Sequence, residues 1–223
     1  MIISEMQSKL ATWSTEDKER KFDRLLRLIA DKAWLSEAAR ITLSSSGART
    51  PGVDGVDKRM MEMHLHDELA TIRDELLAGS YSPLPARRVY IPKANGKLRP
   101  LGIPSLRDRI VQRAMLMVME PIWESDFHPA SYGFRPARSV HHAIRTVKLQ
   151  LQDGGEQSVS GRWVIEGDLA SYLDRASQYP LVYEVCSKRS VWSLTALIRM
   201  PLRRPLQTRT ASSSPRFTRC NTV

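Results

Sequence analysis

The stretch RRVYIPKANGKLRPLGIP, from Arg87 to Pro104, restricts this chain more than any other. β-branched and aromatic residues stand on both sides of Asn95-Gly96, a dipeptide suited to a tight turn, so a two-stranded hairpin is predicted. From Leu84 to Arg113 the region carries Arg87, Arg88, Lys93, Lys97, Arg99, Arg107, Arg109 and Arg113 against the single acid Asp108, a local balance of +7. An ordinary solvated strand pair mixes its signs more evenly. A positive hairpin of this kind suits a phosphate-bearing partner.

Helical patterns surround it. Phe22, Leu25, Leu26, Ile29, Ala33 and Ala38 fall near a 3.6-residue period behind Ser14-Thr15-Glu16-Asp17, which resembles a capping box, so one long helix is predicted from Ser14 to about Thr42. The loop SSSGARTPGVDGVD breaks regular structure, and a second helix is predicted from Lys58 to Ala78, with Leu65, Leu69, Ile72 and Leu76 in one stripe and a stop at Gly79. Further helices are expected over Ser105 to Trp123, through Ile110, Ala114 and Met117, and over Ala137 to Leu151, through Val140, Ile144 and Val147. Between them lies the compact aromatic loop SYGFRPARS, whose Tyr132 and Phe134 are expected to pack. Trp163 to Ile165 read as an apolar strand running into acidic residues, and the fold class is α+β.

Several function classes fall away. No run approaches 18 apolar residues, and residues 1–20 lack the apolar core and cleavage site of a signal peptide, so neither membrane nor export is expected and the cytoplasm is the expected location. Cys186 and Cys220, the only cysteines, are too few for a zinc site and are expected to stay reduced. His141 and His142 are neighbours on a helix and point about 100° apart, so a shared metal is not expected. Met115, Met117 and Met119 read as core. The net charge of +10 points to a polyanion, but residues 185–223 hold eight of the cations and no acid, leaving residues 1–184 at only about +2. The local hairpin charge is therefore the better witness.

Asp168, in WVIEGDLASYLD, stands at the end of the predicted strand, where a carboxylate can reach a metal in an open cleft. A turn former or helix N-cap is the plain alternative. The basic hairpin, glycine-rich loop and aromatic loop upstream favour the first, because phosphoryl transfer needs a metal-binding acid facing a phosphate-rich substrate.

Four segments, TPGVDGVD, YSPLPARRVYIPKANGKLRPLGIPSLRDRIVQRAM, YGFRPARSVHHAI and WVIEGDLASYLD, in this order and at these intervals resemble the amino-terminal half of group II intron reverse transcriptase/maturases, over roughly residues 6–174. The resemblance implies the fingers and part of the palm of a right-hand polymerase. Residues 1–48 would be an amino-terminal helical extension, 49–160 the fingers, 161–174 the start of the palm, and 175–223 a non-matching basic tail. It implies RNA-directed DNA synthesis, with Asp168 as the first catalytic aspartate and Mg²⁺ held by Asp168 and the backbone carbonyl of Leu169. Lys93 and Arg99 would hold the incoming deoxynucleotide triphosphate, with solvated surface cations as the alternative. Arg87, Arg88, Arg107, Arg109 and Arg113 would contact the backbone of the template or of intron RNA, each with an ordinary surface charge as its alternative; the partners implied are intron RNA and an RNA template with its DNA primer. The loop Thr50 to Asp57 resembles a lid over the template; a plain helix connector is the alternative.

Two departures qualify this. Where the family has an aromatic residue before its next aspartate, this chain has Leu173 before Asp174, a poorer wall against the sugar 2′ position. The resemblance then stops, and no adjacent Asp-Asp pair occurs anywhere, whereas two-metal catalysis needs several carboxylates. The sequence as it stands is expected to be truncated and inactive as a polymerase; a noncatalytic RNA-binding remnant of the fingers is the alternative function. In residues 187–223 Ser, Thr and Arg supply 18 of 37 positions, which fits either a shifted reading frame near codon 175 or a genuine RNA-binding tail.

Overall fold

A computed structural model describes residues 2–152, 163–165 and 217–219 of the chain. The chain divides into two compact units, the described part of the first ending at Asp126 and that of the second beginning at Phe127. In element order the first unit contains α1 (Ile3–Glu16), α2 (Leu25–Ile29), α3 (Lys32–Ser44), a 3₁₀ turn (Ser46–Arg49), α4 (Lys58–Met63), α5 (Leu65–Ala78), β1 (Arg87–Pro92), β2 (Leu98–Ile103) and α6 (Leu106–Trp123).

Helix α6 is the centre of the first unit, with α1, α2, α3 and α5 all packed on it. Its Leu106, Ile110, Ala114 and Met117 form one buried row and Val111, Val118 and Ile122 a second, so the helix buries an apolar stripe nearly half its circumference wide. Trp34, Leu35, Ala38 and Ala39 of α3 meet it, and the alanines, fully buried, let the two helices approach closely. Ile72 and Leu76 of α5 complete the core, and each large side chain removed from water contributes roughly 1.5–3 kcal/mol. Met117 is buried and Met115 and Met119 are partly buried against the core, as their pattern implied.

The single helix predicted over Ser14 to Thr42 is three. Ser14 lies in the last turn of α1 and is fully buried, its hydroxyl donating to the Ile122 carbonyl at 2.7 Å rather than capping a helix. Arg24 takes a left-handed φ of 60°, α2 is one short turn, and Asp31 starts α3 by accepting from the Ala33 amide at 2.9 Å. Periodicity missed the breaks because Phe22, Leu25, Ile29 and Ala38 all still face the same core. The Lys58 to Ala78 helix is likewise split at His64, and it ends at Gly79, whose φ of 70° is the left-handed C-cap that glycine favours.

Helix α6 runs through Pro121, which has no N–H for the Met117 carbonyl. The Gln7 side chain of α1 fills that gap, its Nε2 donating to the Met117 carbonyl at 2.9 Å. One face of α1, Gln7, Leu10 and Ser14, thus both packs on α6 and satisfies carbonyls that the proline and the helix end would leave orphaned.

In the second unit, α7 (Val140–Gln152) follows the SYGFRPARS loop, and β3 (Trp163–Ile165), a strand as predicted, pairs antiparallel with β4 (Phe217–Arg219). The loop is braced by its arginines: Arg135 Nη1 donates to the carbonyls of His128 and Ser131, and Arg138 Nη1 donates to that of Pro129. Tyr132 is half-buried, its hydroxyl 2.6 Å from Thr146 Oγ1. Phe134 corrects the packing expectation, being fully exposed at a φ of 56°. On α7, Val140, Ile144 and Val147 are all more than half exposed, because no other described residue covers that stripe. His141 and His142 are solvated.

Candidate nucleic-acid interface

The β-branched and aromatic residues of Val89-Tyr90-Ile91 form β1, and the antiparallel register pairs Arg87 with Ile103, Val89 with Leu101, Ile91 with Arg99 and Pro92 with Leu98. The turn is centred one residue earlier than the Asn95-Gly96 dipeptide suggests. The Gly96 amide donates to the Lys93 carbonyl at 2.9 Å and the Lys93 amide to the Lys97 carbonyl at 2.7 Å, with Gly96 at a φ of 75°. That is a turn over Ala94 and Asn95 followed by a left-handed glycine bulge. Asn95 Oδ1 accepts from the Lys97 amide at 3.2 Å and stiffens the tip.

This register decides which cations act together. Opposed residues share a face and side chains alternate, so Arg87, Lys93, Lys97 and Arg99 fall on one face, interleaved with Val89, Ile91 and Leu101. Arg88 falls on the other, with Tyr90 and Leu98. Lys93, Lys97 and Arg99 are exposed, and among the described residues none of the three side chains forms an ion pair. No acid occurs between Arg87 and Ile103 to offset them. Lys93 and Arg99, assigned together from sequence, are thus brought to one surface. Lys97 belongs with them, and the alternation counted from the glycine bulge is the signal that identifies it.

The other cations divide. Arg113 on α6 is exposed, and Arg87 is half-buried. Arg107 faces inward: it pairs through Nε with Glu68 at 3.2 Å and through Nη2 with Glu75, and its guanidinium lies 5.6 Å from the centroid of the Tyr81 ring. Burial by itself pulls the Arg107 pKa down, but the two glutamates outweigh it and the net shift is upward. Arg109 donates from Nε to the Pro104 carbonyl at 2.9 Å, from Nη1 to that of Gly47 at 2.9 Å and from Nη2 to that of Thr50 at 2.8 Å. Its burial lowers its pKa. Both guanidinium groups are occupied within the protein.

Arg109 and the glycine-rich loop form one joint. A Cβ on Gly52 would lie 2.6 Å from Ser105 Cα, so only glycine lets the loop touch the start of α6. Beyond that contact the loop is turned by its acids, Asp54 accepting from the Val56 amide and Asp57 from that of Met60.

Asp168, Leu169, Leu173, Asp174, Cys186 and Cys220 lie outside the described residues, as does the tail apart from β4. Among the described residues no three His, Cys, Asp or Glu side chains are grouped to hold a metal, and no helix is long and apolar enough to cross a membrane.

Residues 91–188 match the reverse transcriptase (RNA-dependent DNA polymerase) family. The chain is 74% identical over 174 residues to Protein YkfC of Escherichia coli K12, covering 78% of this chain and 45% of that protein. It is 34% identical over 171 residues to the group II intron-encoded protein LtrA of Lactococcus lactis, covering 76% of this chain and 27% of that protein. A putative COX1/OXI3 intron 1 protein of Saccharomyces cerevisiae is 31% identical over 169 residues, or 76% of this chain and 19% of its own length. The chain therefore spans less than half the length of these relatives. The matched residues include the last two residues of β1, the turn, all of β2 and all of α6, so Lys93, Lys97, Arg99 and the helix behind them lie within the matched region. The reverse transcriptase match and the intron-encoded relatives together support a group II intron reverse transcriptase/maturase as what this chain resembles.

Proposed function

We propose that the chain supplies the fingers and the first palm strand of an RNA-directed DNA polymerase that transfers nucleotidyl groups to a primer on an RNA template. By itself it binds RNA and nucleoside triphosphate through the β1–β2 hairpin without extending a primer. The observation that carries this reading is the register that gathers Lys93, Lys97 and Arg99, exposed and unpaired, on one strand face. A Lys offers a compact charge and an Arg a planar fork, and a hairpin tip stiffened by Asn95 holds both at fixed spacing for phosphate oxygens. Arg87, Arg88 and Arg113 are assigned to the nucleic-acid backbone, without sequence readout. Arg107 and Arg109, already engaged, support the interface from behind.

Asp168 and the Leu169 carbonyl are our assignment for Mg²⁺, the ion that would polarise the reacting phosphate. Two-metal transfer needs several converging carboxylates, and the sequence has no adjacent Asp-Asp pair to join Asp168. Two assays test the reading. Primer extension on an RNA template with Mg²⁺ is expected to yield no product, and template-dependent synthesis by this chain would overturn that part. Binding of a 20-nucleotide RNA is expected to be steeply salt-dependent, with K93A and R99A each flattening the log–log slope by about 0.7; unchanged slopes would refute the interface.

A further inference from the structure

The hairpin is poorly anchored by packing. Val89, Ile91, Leu98 and Leu101 are between 36% and 62% exposed, and a two-stranded hairpin has little stability of its own in water. Something else must set its direction. The single acid in this basic region, Asp108, is only 2% exposed and forms no ion pair among the described residues. It instead reaches both places where the hairpin joins the helices. The Leu84 amide, on the chain leading into β1, donates to Oδ2 at 3.1 Å. The Ser105 hydroxyl, on the chain leaving β2, donates to the same oxygen at 2.7 Å. The Tyr81 hydroxyl, itself buried, donates to Oδ1 at 2.5 Å.

These hydrogen-bond donors are all neutral. A buried carboxylate without a cation on it is tolerated only when its lone pairs are filled by well-aimed donors, so this geometry has little room to drift. The Ser105 side chain is tied down twice, since its oxygen also accepts from the Asp108 amide at 3.1 Å as the N-cap of α6. Next to it, the Pro104 carbonyl is held by Arg109.

We propose that Asp108 is a positioning residue: its carboxylate clamps the two ends of the hairpin together on α6 and so fixes the direction in which Lys93, Lys97 and Arg99 are presented. The consequence for ligand rests on the proposed phosphate-binding reading; the clamp itself does not. Native-state hydrogen exchange on the full chain tests the clamp. Asp108→Asn, which turns one acceptor into a donor, and the milder Ser105→Ala are each expected to speed exchange of the β1 and β2 amides by at least about tenfold, or about 1.4 kcal/mol, while α3 amides stay within about threefold. Ile122→Val, on the opposite end of α6, is the control that loosens the whole unit and is expected to move both sets alike. Equal acceleration of hairpin and α3 amides in the Asp108 and Ser105 variants, or none in the hairpin, would overturn the proposal. Should Asp108→Asn not fold, Ser105→Ala decides. With dTTP as probe, Asp108→Asn is expected to weaken binding, and to add nothing once Lys93→Ala is present. If Lys93→Ala leaves dTTP binding unchanged, the nucleotide reading fails while the exchange pattern still judges the clamp.

Discussion

Gly52→Ala is expected to be the most damaging single methyl addition in the glycine-rich loop. The new Cβ would stand 2.6 Å from Ser105 Cα, 2.8 Å from Ser105 N and 3.1 Å from Pro104 C, all backbone atoms that cannot rotate aside. Reaching an ordinary carbon contact of about 3.5 Å needs a displacement of nearly 1 Å between the loop and the start of α6. Overpacking of this kind costs about 1–3 kcal/mol. The same joint is spanned by the Arg109 guanidinium, bound on the loop side to Gly47 and Thr50 and on the helix side to Pro104. A 1 Å shift stretches at least one of those bonds, each worth about 1 kcal/mol, so the total is about 2–4 kcal/mol. For a chain of this size that lowers the melting temperature by roughly 4–16 °C. Gly55→Ala is the internal comparison: Gly55 has a φ of 72° and open space around it, so alanine there pays only the left-handed backbone penalty of about 1–2 kcal/mol. Urea titrations followed by far-UV circular dichroism, with the buried Trp34 as a fluorescence probe, measure both. The reasoning is refuted if Gly52→Ala is no more destabilising than Gly55→Ala.

Three further outcomes follow from the same contacts. Tyr81 is held protonated: burial raises its pKa, and the hydrogen bond to Asp108 and that group's charge raise it further. A raised pKa contributes stability that is fully present below the unfolded value of about 10 and is lost as pH rises above it, so the wild type should lose about 1 kcal/mol more than Tyr81→Phe between pH 10 and 11; parallel alkaline profiles would sink this. Gln7→Ala should cost about 1 kcal/mol by orphaning the Met117 carbonyl, and most of that cost should vanish in a Pro121→Ala background, where the helix regains its own N–H; a double-mutant cycle with no coupling would count against it. Arg107→Ala should lower stability by about 1 kcal/mol, through Glu68, Glu75 and the Tyr81 ring, yet leave the salt dependence of RNA binding unchanged, whereas Arg88→Ala should do the reverse; filter binding against salt separates them.

What the amino-acid string determined by itself was whatever depends on neighbours along the chain. The hairpin follows from β-branched residues around a turn dipeptide, the stop at Gly79 from glycine's freedom at positive φ, and the α6 stripe from a 3.6-residue period. The shared face of Lys93 and Arg99 is not among these, because a turn centred on Asn95-Gly96 would oppose Lys93 to Leu98, and only the glycine bulge opposes it to Lys97. The tertiary structure decided whatever depends on residues far apart in sequence. Charge counting treats Arg87, Arg88, Arg107, Arg109 and Arg113 alike, and only packing shows that Glu68 and Glu75 engage Arg107 while distant carbonyls occupy Arg109. Periodicity cannot see that a helix breaks when both pieces bury their apolar side against the same neighbour, as α1 to α3 do on α6. Nor can it see whether a stripe is covered, as that of α6 is and that of α7 is not among the described residues. Asp108 shows the division most clearly. Along the chain it is one negative charge diluting a basic segment, and in the fold it is a buried acceptor whose meaning comes from Tyr81, Leu84 and Ser105 converging on it, which no local rule brings together.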